Sequence, residues 1–188
     1  AYGKIDTLLM LPMQSLALAS TTFVGQNLGI GKVARAKRGV RIALLLSLAT
    51  SVVLMIPVLL FAPSLVAFFN EKSAVIDYGT MFLRCISPFY VLCCFNQIYS
   101  GALRGAGNTR APMIIMLSSF VVFRQIYLFV LTRFITNTIL PVAMGYPAGW
   151  FICSLLTVLY YRNADLTKNR VIDTGTAMKT ENNRAEAE

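Results

Sequence analysis

Five stretches of this chain carry almost no charge, and that fact decides the solvent it folds in. Thr7–Gly31 runs 25 residues without Asp, Glu, Lys or Arg, and Ile42–Asn70 runs 29. Cys85–Leu103 runs 19, Ala111–Thr132 is broken only by Arg124, and Phe134–Tyr161 is again uncharged. A helix rising 1.5 Å per residue needs about 20 apolar residues to cross the hydrocarbon of a bilayer. The runs predict an all-α fold, a polytopic membrane helix bundle with five transmembrane helices here, at roughly 7–29, 42–66, 76–103, 112–133 and 142–161.

Composition removes the rivals. Of 188 residues, 56% are hydrophobic and 13% charged, against roughly 25% charged in a soluble domain. That excludes a disordered chain and a conventional soluble enzyme. The net charge of +9 would suit nucleic acid, but the basic residues fall between apolar runs, so no nucleic-acid partner is expected. Cys85, Cys93, Cys94 and Cys153 all sit in apolar runs and read as small apolar residues. The absence of His removes His-based metal sites and Ser/His or Cys/His nucleophile pairs. Neither an enzyme nor a metal site is expected.

Lys and Arg set the orientation. Residues 31–41 hold Lys32, Arg35, Lys37, Arg38 and Arg41 with no acid, 104–110 hold Arg104 and Arg110, and Arg162, Lys168 and Arg170 follow the last run. The opposite ends are poorer: Lys4 with Asp6, Lys72 with Glu71 and Asp77, and Arg133. The three basic segments and the C-terminus are therefore expected in the cytoplasm. Residues 163–188 are polar and read as a disordered cytoplasmic tail. The start at Ala1 and the odd helix number lead to the expectation of a piece of something longer.

Several helices carry polar stripes that lipid would penalise. On the first, Ser15, Ala19, Thr22 and Gln26 share one face, with Gln14 beside Pro12; Thr21, Gly25 and Gly29 form a second, small face. On the third, Arg84, Ser87, Tyr90, Cys94, Gln97, Gly101 and Arg104 recur every 3 or 4 residues, flanked by Asn96 and Ser100, and Pro88 predicts a bend. Such a stripe is either a hydrogen-bonding seam or a cavity wall. The fifth repeats the pattern with Trp150, Ser154, Thr157 and Tyr161. Arg124, alone in its span, needs a partner: an absent helix, backbone carbonyls, water or a ligand anion. The candidate substrate-cavity residues are Gln14, Gln26, Arg84, Tyr90, Asn96, Gln97 and Arg124.

Two loop motifs carry a resemblance. Gly25-Gln26-Asn27-Leu28-Gly29-Ile30-Gly31-Lys32, followed by Ala34-Arg35-Ala36, and Arg104-Gly105-Ala106-Gly107-Asn108-Thr109-Arg110-Ala111-Pro112-Met113 resemble loop motifs of the multidrug and toxic compound extrusion (MATE) transporters. Tyr146-Pro147 to Trp150, ending in Tyr160-Tyr161-Arg162, resembles that family's last helix.

The resemblance implies a twelve-helix, two-lobe transporter. Residues 1–162 would be helices eight to twelve, the C-terminal transmembrane lobe lacking its first helix. It implies an antiporter exporting cationic or amphipathic, drug-like compounds across the cell (plasma or inner) membrane, of bacterial type, in exchange for Na+ or H+. Alternating access against the N-terminal lobe of the same full-length chain would drive it. The alternative is a related lipid-linked precursor flippase. No cofactor is implied beyond the coupling ion. Sodium-coupled members carry an acid on the helix matching the third one here, and this sequence has none between Asp77 and Asp165. The coupling site is therefore expected in the other half.

Overall fold

The computed structural model describes residues 2–69, 73–134 and 144–166, and its long elements are all helices. In chain order they are α1 (Tyr2–Gly29), α2 (Val33–Leu60), α3 (Ala62–Phe69), α4 (Ser73–Ile86), a 3₁₀ turn (Ser87–Phe89), α5 (Tyr90–Gly105), α6 (Arg110–Leu117), a π-helical turn (Ser118–Phe123), α7 (Arg124–Phe134) and α8 (Gly145–Asn163). The five expected helices are recognisable in that order. Among the described residues, four helical runs are long and apolar enough to span a membrane: Asp6–Gly29, Val33–Leu60, Ile76–Gly105 and Arg110–Val130. The fifth, α8, is not among them, because Gly145, Tyr146, Pro147, Gly149 and Trp150 fill its first turns and Tyr160, Tyr161 and Arg162 its last. Its expected start at 142 and the tail beyond Leu166 lie outside the described residues; Leu166 itself is buried against the core.

Three boundaries differ from expectation, each for a local reason. The loop expected over 31–41 shrinks to Ile30–Lys32, because Ala, Arg and Lys are good helix formers and α2 begins well before its apolar part. The second span breaks at Phe61: Pro63 has no N–H to give Leu59, so the helix restarts as α3. Pro88 does bend the third span, as a 3₁₀ turn rather than a simple kink. The π turn in the fourth has no proline to announce it.

Two glycines stop helices by the same device. Gly31 (φ 76°) and Gly107 (φ 82°) adopt the left-handed conformation. Around Gly31, the Lys32 amide donates to Asn27 O at 2.8 Å and the Gly31 amide to Leu28 O at 3.0 Å. Around Gly107, the Asn108 amide donates to Leu103 O at 2.9 Å and the Gly107 amide to Arg104 O at 3.0 Å. Both are Schellman stops, which a Cβ would strain.

The core is the parallel pair α1 and α5. A Cβ added at Gly101 would lie 2.6 Å from the Ala17 carbonyl oxygen, and one at Gly105 would overlap the Thr21 carbonyl. The small-residue contact that brings these helices together is therefore Gly101/Gly105 on α5. On α1, Gly25 reaches Gly105 but Gly29 has nothing within 4 Å. Thr21 Oγ1 stands 2.9 Å from both the Ala17 and the Gly101 carbonyl oxygens, bridging the two backbones. One buried cluster, with Leu28, Ala36, Val40 and Leu103, lies toward the basic loops; the other, with Met13, Leu83, Tyr90 and Trp150, fills the far half.

Candidate functional site

The stripe on α5 splits into two faces once its neighbours are in place. One packs on α1 and α2. Tyr90 is buried and its hydroxyl donates to an Asp6 carboxylate oxygen on α1. The Cys94 thiol points at the Ser47 carbonyl on α2 at 3.5 Å. The other face packs on α8. Ser154 Oγ donates to Leu92 O at 2.6 Å, while Thr157 Oγ1 and Ser100 Oγ reach Asn96 Oδ1 at 3.3 and 3.2 Å. Asn96, Ser100, Ser154 and Thr157 are all buried. Tyr90, Cys94 and Gly101 of the stripe, and Asn96 beside it, thus make hydrogen bonds across helices, as buried polar groups must. Gln97 is half-buried, and Arg84 and Arg104 are exposed.

Arg124 follows the π turn directly, six residues before Val130, where its span ends. Its guanidinium carbon sits 4.0 Å above the centroid of the Tyr146 ring. A cation over an aromatic face gains about 0.5–2 kcal/mol, more as water is excluded. The ring continues into an aromatic row: Tyr146 meets Trp150 nearly edge-on, with centroids 6.3 Å apart. Trp150 lies 5.4 Å from Tyr90, and Phe82 packs edge-on to Tyr146 at 6.0 Å. A carboxylate, three aromatic rings and a guanidinium thereby form one line: Asp6, Tyr90, Trp150, Tyr146, Arg124. It lies in the half of the bundle away from the basic loops.

Of the candidate residues, this line brings together Tyr90 and Arg124. Asn96 lies outside this line, bonded to Thr157 farther along α8. Gln14 and Gln26 are exposed on α1 with Ser15, Ala19 and Thr22, and do not converge on Arg124. Sequence reasoning missed Asp6, read as a residue outside the span; its signal was only the helical spacing that continues α1 back through it. It also missed Tyr146 as the partner of Arg124; the i, i+4 pair Tyr146/Trp150 at the head of α8 was the available clue. All four cysteines are free thiols, three of them buried. Among the described residues no group of three His, Cys, Asp or Glu is placed to hold a metal.

The three basic segments meet at one end. Asn108 Nδ2 donates to the Tyr160 hydroxyl at 2.8 Å, tying the 106–109 loop to the end of α8, and the Tyr99 ring meets that of Tyr161 at a tilt of 45°, with centroids 4.7 Å apart.

Known proteins resemble this chain in sequence and in fold. A relative in Thermotoga maritima named "Probable multidrug resistance protein NorM" is 28% identical over 92% of this chain and 38% of its own length. The Pasteurella multocida protein of the same name is 32% identical over 82% of this chain and 33% of its own. An "FAD transporter" of Shewanella oneidensis is 24% identical over 64% of this chain. The crystal structure of the eukaryotic MATE transporter AtDTX14 superposes with a TM-score of 0.80 at 19% identity, over 89% of this chain and 37% of that one. An inward-facing multidrug resistance MATE transporter gives 0.79 at 20% identity, a likeness of fold. The chain thus spans under two fifths of these proteins. The MatE family profile matches residues 2–130, and the chain belongs to the MatE family.

Proposed function

We propose that this chain is one lobe of an antiporter that exports cationic or amphipathic, drug-like compounds across a bacterial cell membrane. Export is coupled to Na+ or H+ entry by alternating access against a second lobe. The observation that carries the reading is the exposed polar face of α1, where Gln14, Ser15, Ala19, Thr22 and Gln26 project from an otherwise apolar span. Hydrocarbon is a poor solvent for such a face, so it borders a wet cavity or another helix bundle. The printed names of the MatE relatives support export. The loops 30–32 and 106–109 and the C-terminal end of α8 lie in the cytoplasm, by the Lys and Arg that stand in or beside them: Lys32, Arg35, Lys37, Arg38 and Arg41, Arg104 and Arg110, and Arg162.

The test is dye efflux. The chain is expressed alone and together with an N-terminal lobe from a MatE relative, and loss of a fluorescent cationic dye is followed. Efflux is expected only with both lobes, collapsing when the ion gradient is dissipated. Efflux from the chain alone overturns the two-lobe reading, and none from a correctly inserted pair overturns export. In the active pair, Asp6→Asn separates the coupling sites: ion dependence is retained if coupling lies in the second lobe and lost if Asp6 carries it. Cysteines at the exposed Lys37 and Thr109 check the topology, being labelled only after permeabilisation. Cargo of opposite charge, such as a lipid-linked precursor, is disfavoured because the Tyr146 ring already covers the Arg124 guanidinium.

A further inference from the structure

At the basic end of the bundle, away from the aromatic row, α1 and α2 leave a cavity of about 520 Å³ lined by Phe23, Ala34, Arg35, Arg38, Gly39 and Ile42. Its volume is within the range of small-molecule sites. Its lining is divided. Phe23 and Ile42 make an apolar floor, and Ile42 opens the uncharged run that continues to Asn70. Arg35 and Arg38, one turn apart, make a basic rim. No acid occurs in the sequence between Asp6 and Glu71, so the stretch of chain that carries both arginines is purely basic. The floor exists because residue 39 is glycine: a Cβ there would overlap the Phe23 ring. Below it, Ile42, Leu46, Val53 and Ile56 form an exposed apolar row down α2.

We infer that this cavity is a binding site for an anionic phospholipid. The phosphodiester engages the Arg35 and Arg38 guanidiniums, and the first acyl methylenes lie on Phe23, Ile42 and the row below. The chemistry fits at each level. Guanidinium forks match phosphate oxygens, and the cavity straddles the depth where a headgroup meets hydrocarbon. Basic pockets between membrane helices select acidic lipids in this way. A soluble anion would use the rim but gain nothing from the floor or the row. The inference concerns the bilayer and is independent of which compound is exported.

The chain as its gene encodes it is purified and placed in nanodiscs of phosphatidylcholine, or of an equimolar mixture with phosphatidylglycerol. Lipids retained on release are counted by native mass spectrometry. One phosphatidylglycerol should be retained from the mixture, and phosphatidylcholine should not replace it. Arg35→Gln and Arg38→Gln should each weaken retention about fivefold, the equivalent of ~1 kcal/mol per interfacial cation, and the pair roughly 25-fold. Lys37→Gln with Arg41→Gln removes equal charge from residues that do not line the cavity, and should leave retention unchanged. Gly39→Ala keeps every charge but displaces the Phe23 ring, and should also weaken it; this arm stands even if the double arginine variant fails to fold. Equal loss in the Lys37/Arg41 variant would reduce the effect to surface charge and overturn the proposal. So would equal retention of phosphatidylcholine, unchanged retention in Gly39→Ala, or displacement of the lipid by inorganic phosphate, which would mark a free-anion site.

Discussion

The third and fourth spans invert the rule that soluble proteins follow. Ile76–Gly105 is the less apolar of the two, yet 33% of its most apolar stretch is buried inside the bundle; for Arg110–Val130, the more apolar, the share is 6%. In water the apolar helix would be the inner one. In a bilayer the lipid takes that role, and polar groups that need partners are driven inward. On α5, nine of its residues are buried, among them Tyr90, Cys94, Asn96, Ser100 and Gly101. Across α6 and the π turn, burial is confined to Pro112 and Ser119. Polarity that found partners became the core, and the span lacking it became the rim. Arg124 is the rim's exception, and it turns inward to a ring.

The sharpest way to break this contrast is to close the space that α5 keeps open. Gly101→Leu would push a side chain into the Ala17 carbonyl, and neither backbone can yield without separating α1 from α5. The expected loss is about 3 kcal/mol or more, read as disappearance of the monodisperse peak in detergent. Gly29→Leu, on a glycine with nothing near it, should leave the peak intact. If both behave alike, close approach is not what makes α5 central.

A second test concerns the carboxylate at the edge of that core. Tyr90→Phe removes a hydroxyl that Asp6 accepts, leaving a partly buried carboxylate short of a donor. A loss of about 2 kcal/mol in an SDS unfolding titration is expected. Adding Asp6→Leu should recover part of it, since an absent charge needs no partner. A double variant worse than Tyr90→Phe alone would mean that Asp6 is held by something other than Tyr90.

The periodicity of charge-free runs made the helices and their order legible, and the side preferred by Lys and Arg grouped the loops. Pro88 and the Gly31 and Gly107 stops were also readable, because each is a local consequence of one residue. The pairing of faces was not. Gly25/Gly29 and Gly101/Gly105 have the same spacing, and only the neighbouring backbone distinguishes the contact from the coincidence. The π turn before Arg124 carries no sequence mark. The sequence offers Arg124 an absent helix, backbone carbonyls, water or a ligand anion as partner, whereas the structure sets it over a neutral ring from a different helix. Ser47 and Ser51, within the charge-free run Ile42–Asn70, are buried, which the absence of charge does not foretell.

The rim's exception is tested by a double-mutant cycle on Arg124 and Tyr146. Arg124→Leu alone should cost little, since leucine is at home at the lipid edge. Tyr146→Leu alone should cost more, because it strips the guanidinium of its ring. The coupling energy expected is about 1 kcal/mol. Arg124→Lys should keep only part of it, because an ammonium lacks the planar face that stacks on tyrosine. Coupling near zero would show that the guanidinium draws its stability from water rather than from Tyr146.

The smallest effect belongs to the best-satisfied part of the core. Asn96 Oδ1 accepts from both Thr157 and Ser100, so removing one donor does not leave it bare. Thr157→Val keeps the shape of the side chain and should cost only ~0.6 kcal/mol, the typical worth of a hydrogen bond between membrane helices. Ser100→Ala should cost a similar amount. The two together leave the buried oxygen with neither donor, and their combined cost should exceed the sum, because the second removal strands the acceptor. Ser15→Ala, on the exposed face of α1 where Oγ bonds only to its own helix at Leu11 O, should be neutral in the same assay. If the Ser100 and Thr157 losses simply add, the two donors act independently, and Asn96 is a spacer between α5 and α8 rather than the point where they are joined.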